Sequence, residues 1–296
     1  MQGSLKLHSG VLYVGWHALT AEVASFDLDG RPLETRFRFK DEAIGRSSVD
    51  GIDVDDDHRL WIADAAARRV RCFTLFGQEV ASVGDDDLEL PERDAHGFLG
   101  TPVDVRVSGS DDDQILLVAS TGDRRHGLQV LHLASGKGRS VAPMGDPEGQ
   151  YHRIRGLDYR AGELAVCEAG ANRVQVFEGE PDGRLRFRFA FPVEPGLGTP
   201  EAVAVVGDGR ILVATRGDHS GLYLYDAAGR PVAALATEGA RDGAPEVDQP
   251  SALAIEAGGS DRYTRVCVLD REGERVQVLS LDGRSFGSFV DFGIGL

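Results

Sequence analysis

Apolar residues along the chain fall into short runs: "VLYVGW", "LWIAD", "ILLVAS", "LAVCE", "ILVAT" and "VCVLD" are each followed by a polar loop, a second apolar run and a glycine turn. Ahead of each run lies a segment of alternating character, "SLKLHS", "VDGIDVD", "PVDVRVS", "IRGLDYR", "PEAVAVV" and "PSALAIE". Behind each comes one more, such as "LETRFRFK" or "RLRFRFAF". A period of two over a few residues, bounded by turn residues, predicts β-strands, and no stretch carries the 3.6-residue period of a long amphipathic helix. Gly 38 and Pro 12 amid abundant Val and Leu agree with many short strands joined by turns.

The large apolar residue closing each second run is Phe26, Phe73, Leu131, Phe177, Tyr225 and Leu279, so successive copies are 47, 58, 46, 48 and 54 residues apart. Six copies at that spacing, with four strands in each, predict an all-β, six-bladed propeller of antiparallel blades. The expected blades are 3–40, 48–84, 101–142, 153–191, 199–237 and 250–292, forming one domain without a linker. Gly30, Gly77, Gly183, Gly229 and Gly283 supply the positive φ of the turn between the third and fourth strands. In the third blade Gly136 or Gly138 can do so.

"VCEAGANRVQVFEGEPDG" in blade four and "VDGIDVDDDHRLWIADAAARRVRCF" in blade two resemble the NHL repeat, with its "GIAVD"-like first strand and "VADxxNxRVQVF"-like hairpin. That resemblance spans nearly the whole chain. It implies architecture rather than activity, because the family contains enzymes, sensor domains and binding platforms. Residues 4–9 read as the innermost strand of blade one and 285–292 as the outermost of blade six, so the ring is expected to close by face packing without strand exchange.

Lys and Arg number 32 against 48 Asp and Glu, a formal charge of −16, which disfavours nucleic acid as a partner and suits a basic protein or a cation. Cys72, Cys167 and Cys267 are far apart, each within an apolar run, and read as core residues. "MQGSLKLHSG" has neither the basic nor the apolar region of a secretory leader, and no run is long enough to span a bilayer, so a reducing cytoplasm is the expected location.

An acid five positions before an arginine recurs as Asp64 and Arg69, Glu168 and Arg173, and Asp270 and Arg275, a pairing suited to holding the hairpin in shape. His17 and Arg216 stand where blades one and five would carry that acid, and Gly221 replaces the arginine of blade five. Loops between second and third strands share a face with the inter-blade connectors. His17, His126 and His219 belong to the former, His96 and His152 to the latter, and the longest insertions, 84–101, 141–153 and 237–249, are connectors too. This loop-rich face is the expected binding face, with His17, His96, His126, His152, Arg216 and His219 upon it. Asp85, Asp86 and Asp87 offer a contact for a basic protein partner.

The innermost strands present Lys6, Asp53, Arg106, Asp158, Ala204 and Ala254 at equivalent positions, so ion pairs around a narrow channel are expected, or else a polar pocket opening on the two alanines. Asp50, Arg155, Glu201 and Ser251 begin their strands, with Asp104 one place further along. Asp50, Asp104 and Glu201 are the candidate ligands for a divalent cation, calcium or zinc. "DVDDDH" (53–58) and "SGSDDDQ" (108–114) read as solvated turns between first and second strands.

Blade two also resembles the "DGxxxDxxGxLWxA" segment of gluconolactonase-type propellers, which implies Asp50 as a metal ligand, but the "EGPxW" glutamate and the "NG" asparagine of that family are missing. Amidating lyases built on the same repeat imply histidine-bound zinc, for which the loop histidines are the available ligands. No HExxH, GxSxG, P-loop or dinucleotide fingerprint is present. The leading expectation is therefore a non-catalytic platform for protein interaction through the loop-rich face. The alternative is a metal-dependent hydrolase or lyase with its site at the channel mouth.

Overall fold

The computed structural model describes residues 2–17, 20–84, 99–122, 127–143, 151–180, 183–194, 196–240, 245–271 and 274–289. They form six antiparallel sheets of four consecutive strands each. Blade one holds β1 (Gln2–His8), β2 (Val11–His17), β3 (Ala21–Phe26) and β4 (Pro32–Phe39). Blade two holds β5 (Gly51–Val54), β6 (Leu60–Asp64), β7 (Arg69–Phe73) and β8 (Glu79–Gly84). Blade three runs through β9 (Thr101–Ser108), β10 (Ile115–Thr121), β11 (Gly127–His132) and β12 (Lys137–Pro143). Blade four comprises β13 (Ile154–Arg160), β14 (Glu163–Glu168), β15 (Arg173–Gly179) and β16 (Leu185–Pro192). Blade five has β17 (Thr199–Val205), β18 (Ile211–Arg216), β19 (Gly221–Tyr225) and β20 (Pro231–Thr237). Blade six has β21 (Pro250–Glu256), β22 (Arg265–Asp270), β23 (Arg275–Ser280) and β24 (Ser285–Phe289). Innermost strands touch in the cyclic order β1, β5, β9, β13, β17, β21 and back to β1, which makes the assembly a six-bladed propeller.

Strand position within a blade explains the texture of the sequence. The two middle strands lie between neighbouring blades, so both faces are covered and the run is apolar almost throughout, as in the fully buried β6. The outermost strand has one wet face and alternates, as β4 does. The buried apolar side chains divide into clusters that each straddle two adjacent blades. Leu60 and Ile62 meet Tyr13 and Val23, for example, and Leu164 and Val166 meet Leu117 and Val130. Cys72, Cys167 and Cys267 are buried in three of these clusters, and desolvation pushes the thiols of Cys72 and Cys267 up to about 12. They are packing residues, not nucleophiles.

The seam is built like every other interface. β1 pairs with β2 and β24 with β23, each inside its own blade, while Leu5, Leu7 and Trp16 of blade one pack on Ala252, Cys267 and Leu269 of blade six. One polar contact reinforces it, from the Gly10 amide to Glu256 Oε1 at 2.8 Å.

The outer turns dovetail between blades. Gly30, Gly77 and Gly229 have φ of 82°, 82° and 76°. A Cβ on each would come within 2.5–2.6 Å of Phe289, Phe37 and Phe191 respectively, each from the outer strand of the preceding blade. In blade three Gly136 takes the positive φ (63°), while Gly138 pairs with Leu131 inside β12. Between β9 and β10, Asp111–Asp113 form one 3₁₀ turn.

The 53–58 turn differs from its expectation. Asp56 and Asp57 are exposed, but Asp55 is buried and is the hub of the turn. Its carboxylate accepts from the Arg59 amide (2.8 Å), Arg59 Nε (2.8 Å) and Trp61 Nε1 (2.8 Å). Those donors occupy the oxygens a calcium loop would need.

Candidate functional site at the channel mouth

Three of the repeated acids lock the connector of their own blade. The Ser48 amide donates to Asp64 Oδ1 (2.9 Å), the His152 amide to Glu168 Oε2, and the Asp248 amide to Asp270 Oδ1 (3.0 Å). Arg173 and Arg275 pair with their acids at 2.8 and 3.0 Å, and Gln175 and Gln277 add second donors at 2.6 and 2.7 Å. Blade two carries Arg71 at the glutamine position, and that guanidinium reaches Asp64 at 3.5 Å while Arg69 Nε donates to Ser82 Oγ.

Register corrects the placement of Arg216. The residue opposite the proline of β21 is Asp270 (Pro250↔Asp270), and its counterpart in blade five is Thr215 (Pro200↔Thr215), not Arg216. Ser120 is the counterpart in blade three, opposite Pro102. Arg216 therefore stands one residue beyond the acid position, where Arg271 stands in blade six.

His17 takes the acid's role in blade one but reaches the next blade, its Nδ1 accepting the Val49 amide at 3.1 Å. The His219 carbonyl accepts from the Tyr223 hydroxyl, with the side chain exposed, and His152 packs against Gly170. His96, His126, Asp85, Asp86 and Asp87 lie outside the described residues. His8 and His58, 5.8 Å apart, lie at turns between first and second strands, on the opposite face. The structure does not bring His17, His152 and His219 together.

Inside the channel, charges satisfy one another and stitch blades one to five in succession. Lys6 meets Asp53 at 2.5 Å, and Arg106 meets Asp158 at 3.1 Å and Asp104 at 2.7 Å. The second oxygen of each aspartate caps an amide on the next blade: Asp53 takes Val107 (2.8 Å), Asp104 takes Leu157 (3.0 Å) and Asp158 takes Val205 (2.8 Å). Burial raises the Asp104 carboxyl above its ordinary range despite Arg106, and the surrounding carboxylates push the Arg106 guanidinium further up. At the level of Ala204 and Ala254 the free space is about 10 Å³, room for about one water. Arg160, unremarked in the sequence, donates from β13 to the Ile255 carbonyl at 2.6 Å beside that constriction.

The channel widens toward the connector face. There a cup of about 210 Å³ is lined by Asp50, Arg155, Glu201, Arg216, Ser251 and Arg271, with Gly3 and Val103 completing the wall. Below it the space falls to about 30 Å³ beside Asp104 and Arg106. Glu201 lies between Arg155 (Nε to Oε2, 3.2 Å) and Arg216 (Nη1 to Oε1, 3.3 Å). Asp50 Oδ2 accepts from Ser48 Oγ (2.5 Å) and the Ala65 amide (3.1 Å). Desolvation raises its carboxyl above the ordinary value, against the opposing pull of Ser48, His17 and Ala65. Among the described residues no three His, Cys, Asp or Glu converge as metal donors, and Asp104 is spent on Arg106 and two amides, so Asp50, Asp104 and Glu201 do not form one donor set. No helix among the described residues is long and apolar enough to cross a membrane.

Neither a family-level comparison nor a comparison with curated proteins finds a match. Solved structures share the fold. A protein of unknown function from Bacteroides caccae has a TM-score of 0.61 at 14% identity, covering 96% of this chain and 95% of its own. A gluconolactonase from Xanthomonas campestris, described as important in glucose secondary metabolic pathways, has a TM-score of 0.58 at 17% identity, over 90% of this chain and 79% of its own. Virginiamycin B lyase from Staphylococcus aureus has a TM-score of 0.58 at 11% identity, over 97% and 84%.

Proposed function

We propose that this NHL-like propeller acts in recognition, binding a partner on its connector-bearing face with the channel cup at the centre of the contact. The observation supporting this reading is the cup itself: a polar depression that narrows inward along the axis, whose ionisable groups are mostly engaged with each other or with backbone. A protein partner is the leading candidate, and the acidic connector containing Asp85, Asp86 and Asp87 suits a basic patch on it.

The test is retention of native-lysate proteins on the immobilised chain. Ser251→Trp, which fills the cup, and the joint replacement of Asp85, Asp86 and Asp87 by Ala are each expected to abolish retention of a component that Arg230→Ala, in an outer turn of blade five, leaves bound. Identical retention by all variants would overturn the reading.

A metal-dependent hydrolase or lyase is the second reading, favoured by the placement of Asp50 and Glu201 in one cup on a fold shared with a lactonase and a lyase. Stoichiometric calcium or zinc in protein purified without chelator would support it, and loss of that metal in Asp50→Asn would place it at the mouth.

A further inference from the structure

We infer that the cup is a carboxylate site, which takes a small polar organic acid on the side formed by blades five and six; this deepens the recognition reading and rests on it. Its wall carries three guanidinium groups, Arg155, Arg216 and Arg271, against two carboxylates, Asp50 and Glu201, an excess of positive charge at the mouth of a chain whose formal charge is −16. The cations cluster on one side: Arg155, Arg216 and Arg271 come from blades four, five and six, with Glu201 of blade five among them, whereas Asp50 enters from blade two, opposite blade five in the ring.

Each arginine has donors to spare. Glu201 engages Arg155 and Arg216 through one contact apiece, at 3.2 and 3.3 Å, and each of these side chains keeps about two fifths of its surface exposed (40% and 39%). Arg271 has no ion-pair partner among the described residues. A guanidinium offers five N–H donors in a planar fork that matches a carboxylate. Arg155 and Arg216 already grip one internal carboxylate, so a second, brought by a ligand, completes the set between Arg216 and Arg271 beside the Ser251 hydroxyl. Inorganic phosphate suits the cup less, because both its charges sit on one group beside Asp50 and Glu201, whereas a dicarboxylate carries one charge on each of two separated groups. The lining is polar apart from Gly3 and Val103, and 210 Å³ corresponds to about seven waters of liquid volume, which sets the ligand at the size of a hydroxydicarboxylic acid.

The experiment is calorimetric titration of the intact chain with L-malate at low salt, with its neutral diamide and inorganic phosphate as comparison probes. The expected result is one saturable site per chain, weakened as salt rises and absent for the diamide. Arg216→Gln and Arg271→Gln should each lower affinity at least tenfold, Arg230→Gln should leave it unchanged, and Asp50→Asn should raise it severalfold by removing a like charge. Circular dichroism and melting temperature identify any variant that fails to fold. Absence of malate binding, an affinity in both cup variants equal to that of the unaltered chain, or preference for phosphate would each overturn the carboxylate assignment. Retention of a lysate partner in the assay above would then still stand, so the two failures are distinguishable.

Discussion

At the residue scale, the mouth and the channel show how one residue type takes different roles through its surroundings. Asp53, Asp104 and Asp158 give one oxygen to a cation or their own strand and the other to the next blade's backbone, so they act as staples. Asp50, half-buried near the rim, accepts hydrogen bonds from Ser48 and Ala65, and its carboxyl is held above the ordinary range by desolvation. A carboxyl raised on folding contributes stability in its protonated form, present below the unfolded value of about 4 and lost as pH climbs through the folded value. Asp50→Asn keeps an acceptor for Ser48 and Ala65 while removing the charge. Its melting temperature is expected to equal or exceed that of the wild type at pH 7, with the difference vanishing below pH 4. A variant less stable by the same margin at every pH would contradict this assignment. The strand-start set Asp50, Arg155, Glu201 and Ser251 was legible as a group because all four begin innermost strands. Arg271 was not, because Arg216 was matched to the acid position itself. With Thr215 in that place, positions one residue past the acid read Ala65, Thr121, Ala169, Arg216 and Arg271, and the basic pair in adjacent blades becomes visible.

At the element scale, the blade is set by where each strand sits between its neighbours, and the turn glycines show the coupling most sharply. Gly77 combines φ of 82° with a neighbour, Phe37 Cβ, 2.5 Å from any added Cβ. Gly45 has φ of 71° but nothing within 4 Å. Backbone strain alone costs about 1–3 kcal/mol, and forcing an aromatic ring aside adds about 1–3 kcal/mol. Urea denaturation should therefore place Gly77→Ala well below Gly45→Ala in stability, and equal losses would show that the interlock with Phe37 contributes nothing. The glycine turns were readable from spacing alone, whereas their second role was not, because the ring each one accommodates belongs to another repeat. Asp55 escaped for a related reason: within a run of acids it looks solvated, and only folding brings Trp61 and Arg59 onto it.

At the scale of the whole molecule, six interfaces of similar construction close a ring around a charged axis, and Arg106 is the residue on which that axis turns. It is 6% exposed and bridges Asp104 and Asp158. Removing one member of a buried ionic group strands the others, at a cost of about 3–5 kcal/mol, against about 0–1 kcal/mol for an exposed pair. Arg106→Ala should lower the denaturation midpoint by that larger amount while Arg230→Ala barely shifts it; comparable small shifts would mean the axis is not a structural element. The alternation of sign around the channel was visible in the chain, but its outcome, a channel that narrows beneath the cup, depended on Arg160 crossing toward blade six. The central claim, a cup that receives an anionic group, is tested most directly by labelling arginines with phenylglyoxal with and without L-malate and reading the adducts by mass spectrometry. The account predicts that malate shields Arg216 and Arg271 and leaves the 80%-exposed Arg230 side chain as reactive as before; equal labelling of Arg216 and Arg271 in the two conditions would contradict it.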